Sequence, residues 1–203
     1  MKMMKRRSKY AVSILLLPLF ILLTSCDQAT SPAVAPEISV AGADFNLENA
    51  NVRGEVAAQL AQVRRHTAHY HRVENAEEAG YTNVNVGECV ENPEQGGMGY
   101  HFVKFDLLDL DLDPIEPEIL VYAPSPNGDL KLVAVEYAVP IVPWVAIHGE
   151  NNPPMVLGQH LHANPNLGLY VLHAWIWKHN PTGIFEDWNP RVTCDYAPEP
   201  VVE

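Results

Sequence analysis

Basic residues are scarce through most of this 203-residue chain. The sequence has 13 Lys and Arg against 25 Asp and Glu, and five of the 13 fall within residues 1–25, which carry no acidic residue. The other 178 residues therefore hold 8 basic and 25 acidic side chains, a net charge of −17. Proteins that bind nucleic acid neutralise its phosphates with Lys and Arg. We therefore expect no nucleic-acid partner.

The chain also lacks a membrane-spanning length of apolar sequence at its start. Ala11–Leu23 is apolar for only 13 residues, whereas a transmembrane helix needs about 20. A basic segment, a short apolar run and small residues are typical of a secretory signal. The following Leu23-Thr24-Ser25-Cys26 looks like a bacterial lipobox. The alternatives are an ordinary cleaved signal with an incidental cysteine, or an uncleaved anchor.

The lipobox reading makes residues 1–25 a lipoprotein signal peptide and places acyl chains on Cys26. Two or three acyl chains give stable anchoring where a single chain gives only marginal binding. We therefore expect a protein of the bacterial cell envelope that is held to the membrane through lipid, with its domain outside the cytoplasm.

Several motifs that would identify an enzyme are absent. The chain has no nucleophile elbow, Walker loop, dinucleotide fingerprint or Cys-x-x-Cys pair. These absences exclude the common signatures but leave open whether the protein is an enzyme.

Prolines are distributed unevenly, and this indicates the fold. None lies between Pro36 and Pro93, whereas fourteen of the 17 lie at or after Pro93. Proline interrupts long helices and is compatible with strands joined by loops. Residues 26–44 are mostly small, contain proline and show no periodicity, and we predict that the lipidated Cys26 begins a flexible tether there. Residues 45–203 are then a single α+β domain, with N-terminal helices followed by a mostly antiparallel β-sheet.

Apolar residues at helical spacing predict helices between Leu47 and Gly80, the second of them over Val73–Ala79. Pro124–Gly128 is a strong turn signal that predicts a hairpin. The predicted strands are Tyr100–Phe105, Ile119–Ala123, Leu130–Val139, Trp144–His148 and Tyr170–Lys178. Gly96–Gly99, just before the first of these strands, predicts a tight turn or a close approach between backbones.

Three predicted strands each carry one ionisable residue on an otherwise apolar face. Successive strand residues point to opposite sides of a sheet, and a buried ionisable group needs a partner. The expected faces are His101 with Val103 and Phe105, Glu136 with Leu130, Leu132 and Ala134, and His173 with Val171, Trp175 and Trp177. If these strands are neighbours, the three ionisable groups can be one another's partners or share a metal ion.

A His-Leu-His segment adds two further imidazoles, which point the same way if the segment is extended. Imidazoles with a carboxylate make a site for zinc or another transition metal. The candidate metal site is therefore His101, Glu136, His160, His162 and His173. In a metalloenzyme, hydrolytic or redox, Glu136 would be a fourth ligand or a general base. The alternative is a structural hydrogen-bond network with the loop histidines in solvent.

Two cysteines remain once Cys26 is assigned to the lipid. Cys89 precedes the first predicted strand and Cys194 follows the last. An exported protein lies where disulfides persist, so we predict a bridge between them. The alternatives are two free buried thiols or a thiolate metal ligand.

Four segments together resemble a group of exported bacterial proteins of unknown function. They are GMGYH ending at His101, VEY at 135–137, LHAWIWKHNPTGIF at 172–185 and WNPRVTC ending at Cys194. The resemblance covers roughly residues 64–194 and implies export and one shared domain, without implying a reaction. It favours His101, Glu136, His162, His173 and the pair Cys89 and Cys194 over the three histidines near the helices.

The sequence thus supports two functional hypotheses. The first is a lipoprotein with a binding or structural domain, whose small-molecule or protein partner the residues do not specify. The second is a metal-binding protein or metal-dependent enzyme built on the histidine and glutamate residues.

Overall fold

The computed structural model describes residues 47–84 and 88–197, with side chains described from Arg53 onward. The predicted signal peptide at 1–25, Cys26 and the tether at 26–44 lie outside the described residues.

Two helices form the N-terminal part of the described chain. Helix α1 spans Leu47–Thr67, a 3₁₀ turn follows at Ala68–His71, and α2 spans Val73–Glu78. Val63 and Thr67 are buried one turn apart, and the Thr67 hydroxyl donates to the Val63 carbonyl at 2.8 Å. The helical periodicity of the sequence therefore identified the face of α1 that packs inward.

The strands lie mostly in the second half of the chain. They are β1 (Thr82–Asn83), β2 (Val90–Asn92), β3 (Gly96–Val103), β4 (Ile119–Pro124), β5 (Leu130–Pro140), β6 (Met155–Val156), β7 (Gln159–His160), β8 (His162–Asn164) and β9 (Leu169–Ala174).

Within the described ranges the main sheet has the order β1-β3-β4-β5-β9-β8, with β2 also paired to β3. Strands β6 and β7 form a separate pair, and every strand pairing is antiparallel. The α+β architecture predicted from the sequence is confirmed.

The predicted hairpin is also present, since β4 pairs with β5 across the turn. The Gly128 amide donates to the Ser125 carbonyl at 2.8 Å, and Gly128 has a φ of +84°. Gly99 in β3 has a φ of +106°, and a Cβ there would clash with the carbonyl oxygen of Tyr122 on β4. The glycine-rich segment therefore allows the close backbone approach that the sequence predicts.

The prediction of a strand at Trp144–His148 is wrong, because this segment is helical. Helix α3 spans Ile141–His148, and Gly149, which has a φ of +82°, caps its C-terminus. Pro143 lies in the first turn, where a helix tolerates proline because the amide there has no intrahelical partner. The run is almost entirely apolar, and such a run does not reveal its period.

The helices and the closing part of the chain cover opposite faces of the sheet. The first face packs against α1 and α2 through a core that includes Tyr122, Tyr137 and Leu172. The second face carries Val103, Val121 and Trp175, which belong to a smaller cluster of buried residues. No helix residue belongs to that second cluster, as far as the described residues show.

Two of the residues predicted to share a strand face with Glu136, Leu130 and Leu132, lie on the opposite face, because β5 contains a β-bulge. Val121 pairs with Ala134 but Tyr122 pairs with Leu132, so Val133 is an extra residue in β5. Residues before the bulge are therefore out of phase with those after it. Leu130 and Leu132 pack on the helix-covered face, whereas Ala134 shares the second face with Glu136.

Two other predicted strands end sooner than expected. Strand β3 stops at Val103, and Phe105 lies in a 3₁₀ turn and is 61% exposed, so it does not share a strand face with His101. Strand β9 stops at Ala174, because the Trp175 amide donates to the Ile184 carbonyl instead of continuing the ladder. Trp175 is buried on the second face, but Trp177 packs against the first cluster and donates to Thr67.

The predicted disulfide between Cys89 and Cys194 is present. It joins the residue before β2 to the end of the chain segment that follows β9, across a sequence separation of 105. The Cys194 amide also donates to the Glu91 carboxylate, and the Gly97 amide donates to the Val192 carbonyl at 2.9 Å. The bridge therefore fastens the segment that follows β9 to the edge formed by β2 and β3.

The disulfide indicates an oxidising compartment outside the cytoplasm. Among residues 47–84 and 88–197, none of the helices combines the length and apolar character needed to cross a bilayer.

Candidate metal centre

Three of the predicted site residues meet on the second face of the sheet. Glu136 on β5 lies directly opposite His173 on β9. His101 lies on β3, two strands from Glu136, with β4 between them. Adjacent strands are about 4.8 Å apart, so the long side chains of His101 and Glu136 meet by reaching across β4. Each of the three has its own strand, and the sheet order brings them together.

The distances within this cluster suit ligands of one ion better than hydrogen bonds. Nε2 of His101 lies 3.5 Å from Oε2 of Glu136, and Nδ1 of His173 lies 3.6 Å from Oε1 of the same carboxylate. Hydrogen bonds between nitrogen and oxygen rarely exceed about 3.2 Å. Ligand atoms about 2.1 Å from a tetrahedral ion are about 3.4 Å apart. One ligand atom from each of the three residues lies within 4.8 Å of the other two.

A second carboxylate, Asp187, connects this cluster to a further histidine. Its Oδ1 lies 3.6 Å from Nδ1 of His173, and its Oδ2 lies 3.3 Å from Nε2 of His162. The side chain of His162 is 49% exposed, whereas that of His173 is 2% exposed. The ionisable groups therefore run from the protein surface at His162 to the second face of the sheet at His101.

The buried imidazoles lack hydrogen-bond partners within the described part of the chain. Both nitrogens of His173 and Nδ1 of His101 are buried without one. Leaving a buried polar atom unpaired costs about 1–3 kcal/mol, so such atoms in a native protein call for an explanation. A bound ion that accepts the lone pair of Nδ1 of His173, the nitrogen that faces Glu136, would supply one for that atom.

The two imidazoles of the cluster differ in their electrostatic surroundings. Burial lowers the pKa of His101, and His173 lowers it further, while Glu136 acts in the opposite direction. The neutral imidazole is the form that binds a metal ion. His101 is therefore held in the form that a metal site requires.

Carboxylates dominate the surroundings of His173. Burial alone would lower its pKa, but Glu136 and Asp187 outweigh burial and raise the pKa. Burial would raise the pKa of Asp187, yet His173 and His162 outweigh it and lower the pKa. The two carboxylates thus balance the positive charge of a protonated His173. The same two carboxylates would balance the charge of a divalent metal ion bound beside it.

The cluster lines a cavity of about 500 Å³ on the second face of the sheet. Buried side chains of the sheet, including Val103, Ile119 and Val171, form its floor. Phe105 and Leu167, which are 61% and 63% exposed, lie on the loops at its rim. Protein pockets that bind small molecules usually measure about 300–1,000 Å³ and combine apolar walls with a few polar groups.

The His-Leu-His segment does not place both imidazoles at one site. His160 ends β7 and is exposed, whereas His162 begins β8 and lines the cavity. Leu161 between them is buried in the first cluster. The structure therefore brings together His101, Glu136 and His173, places His162 beside them through Asp187, and leaves His160 outside.

Sequence reasoning missed Asp187. It follows β9 in a segment that folds back on that strand, where the Trp175 indole donates to the Glu186 carbonyl at 2.6 Å. An acidic residue in an irregular segment has no periodicity to mark it.

Two imidazoles and one carboxylate could hold a metal ion here. The same donor set occurs in catalytic zinc sites and in non-haem iron sites, both of which keep a coordination position open. The cavity beside the cluster gives such a position room for a ligand.

Comparisons of this chain with protein-family models, with curated proteins and with solved structures give no match.

Proposed function

We propose that this chain is a cell-envelope lipoprotein, anchored through Cys26, whose domain binds one transition-metal ion between His101, Glu136 and His173. Zinc is the first candidate for the ion, because the donor set is one that zinc uses with an open position. The convergence of three ligand residues from separate strands carries the proposal, with Glu136 and His173 buried and the His101 side chain 12% exposed. The buried and unpartnered Nδ1 of His173, which faces Glu136, supports it.

Several features favour a metal site over a purely structural hydrogen-bond network. A structural network would satisfy its members, because an incompletely satisfied buried network is destabilising. Here the two contacts of Glu136 are 3.5 and 3.6 Å long. In addition, Glu136 and Asp187 each lie 3.6 Å from Nδ1 of His173, so two carboxylates face the nitrogen that would bind the ion.

Metal content is the direct test of the proposed site. The full chain, purified in detergent and dialysed, is expected to carry about one equivalent of zinc by mass spectrometry of the metal. E136Q, which keeps the side-chain size, and H101Q are expected to lower zinc affinity by more than about 100-fold, because loss of an outer partner alone costs 10–100-fold.

H160Q is the matched control for the metal test, because His160 is an exposed histidine outside the cluster. It should bind zinc like the wild type, and circular dichroism should show that all variants are folded. The metal proposal is wrong if the wild type retains no metal after exposure to zinc. It is also wrong if E136Q and H160Q retain zinc equally.

The anchor is tested separately through Cys26. C26S removes the thiol that receives the acyl chains, so the full chain should lose its acyl mass and move from the detergent phase to the aqueous phase in a detergent partition. S31A, a small change in the predicted tether, should leave the partition unchanged. Acyl chains found on C26S would contradict the assignment of the anchor.

A further inference from the structure

We propose that the cavity on the second face of the sheet binds a small amphiphile, with its carboxylate head on the metal ion and its apolar tail between the sheet and the rim loops. This inference rests on the proposed metal site and adds a ligand class to it. The cavity supplies both halves of such a ligand site.

The tail is accommodated by the apolar part of the cavity. Val103, Ile119 and Val171 line its floor and are at most 6% exposed, so the bottom of the cavity is apolar and shielded. Phe105 and Leu167 line the rim and are more than half exposed. A tail lying between the floor and the rim would cover apolar surface that water now contacts, which is favourable in proportion to the area covered.

The chemistry of the head group follows from the open coordination position of the ion. A carboxylate oxygen is a ligand that zinc accepts in such a position. An ammonium head has no lone pair to donate and would be repelled by the ion.

The position of the cluster fixes the orientation of the ligand. His173 and Glu136 are 2% and 4% exposed and lie on the sheet, so the ion would be at the floor of the cavity. The head must then enter first, and the far end of the tail is left beside Phe105 and Leu167 at the rim. Substitutions at the rim should therefore affect the tail without touching the ion.

Three ten-carbon probes that differ only in their heads test this proposal. Decanoate, decanol and decylamine are titrated calorimetrically into the full chain in detergent, loaded with one equivalent of zinc, and then into the same protein after removal of the metal by a chelator. Decanoate is expected to bind the zinc-loaded protein at least about tenfold more tightly than either other probe. Removal of the metal should abolish that preference.

Leu167 tests the place of the tail. L167D puts a charge at the rim and should weaken decanoate binding about tenfold or more, because the tail loses apolar contact there. V142D makes the same kind of change at a residue of α3 that is 79% exposed and does not line the cavity. It should leave decanoate binding as in the wild type.

The outcomes separate this proposal from the metal site on which it rests. Zinc-loaded protein that binds decanoate no better than decanol overturns the amphiphile proposal and leaves the metal site standing. Equal effects of L167D and V142D overturn the assigned place of the tail. A chain that binds no zinc overturns both proposals together.

Discussion

Replacing both bridged cysteines, in C89S/C194S, is expected to lower the free energy of unfolding by about 4 kcal/mol. The bridge closes a loop across a sequence separation of 105, and loop-closure entropy assigns about 4–5 kcal/mol to a loop of roughly 100 residues. Typical domains are stable by about 5–15 kcal/mol, so this loss is a large fraction of the total. Denaturant unfolding of the wild type and the variant measures it.

The reduced wild type is the control for the disulfide prediction. A reductant should lower the stability of the wild type by the same amount and leave C89S/C194S unchanged. The bridge also holds the segment after β9 against β3, where Gly97 bonds to Asn189 and Val192. That segment carries Asp187, so the variant should also expose the cavity. A loss below about 1 kcal/mol would contradict the role given to the bridge.

The second large effect concerns Glu118, a buried carboxyl group outside the metal cluster. It is 1% exposed, and its Oε2 accepts a hydrogen bond from the Ala138 amide at 3.1 Å. Strand β5 extends past the start of β4, whose residue Ile119 pairs with Glu136. The Glu118 side chain therefore takes the place of a missing strand partner for the amide of Ala138.

The surroundings of Glu118 make the stability of the domain depend on pH. The pKa of Glu118 is raised to about 8, chiefly by burial and to a smaller extent by Asp109 and Asp113, while hydrogen bonds from its own amide and from Ala138 act in the opposite direction. The unfolded value is 4.5. Between these two values the folded state holds a proton that the unfolded state has released, so stability falls as the pH rises.

E118Q is therefore expected to be about as stable as the wild type near pH 4 and more stable above pH 8. The glutamine amide imitates the protonated carboxyl group at every pH. A slope of about 1.4 kcal/mol per pH unit across this window gives an upper limit of roughly 5 kcal/mol for the gain. Urea unfolding of both proteins at several pH values measures the difference.

E116Q is the matched control for this measurement, because Glu116 is an exposed carboxylate two residues earlier in the chain. If E118Q and E116Q change the stability alike at every pH, the account of Glu118 is wrong. A gain for E118Q that appears below pH 4 would also contradict it, since both states would then be protonated.

Elements with a regular period could be predicted from the sequence. The apolar spacing through Val63 and Thr67 placed α1, and the turn after Pro124 placed the hairpin of β4 and β5. Helix α3 could not be predicted in this way, because an apolar run has no contrast between faces. The bulge at Val133 was not visible either, since a one-residue insertion depends on the pairing of β5 with β4.

The candidate site was predictable in its members but not in its arrangement. An ionisable residue among apolar neighbours marked His101, Glu136 and His173. The strand order that makes β9 the neighbour of β5 could not be predicted from the sequence, because a helix and three short strands separate the two along the chain. Asp187 and the separation of His160 from His162 depend on how irregular segments fold back on the sheet.

The amino-acid sequence by itself determined the acidic character of the domain, the α+β class, the cysteine pair and the three ionisable strand residues. These follow from composition and from periods of two and 3.6 residues, which are local properties of a chain. The tertiary structure alone decided that the three residues face one cavity, that Asp187 joins them and that His160 does not. Contacts between residues that are distant in sequence depend on strand order, register and loop path, because only packing of the whole domain brings such residues together.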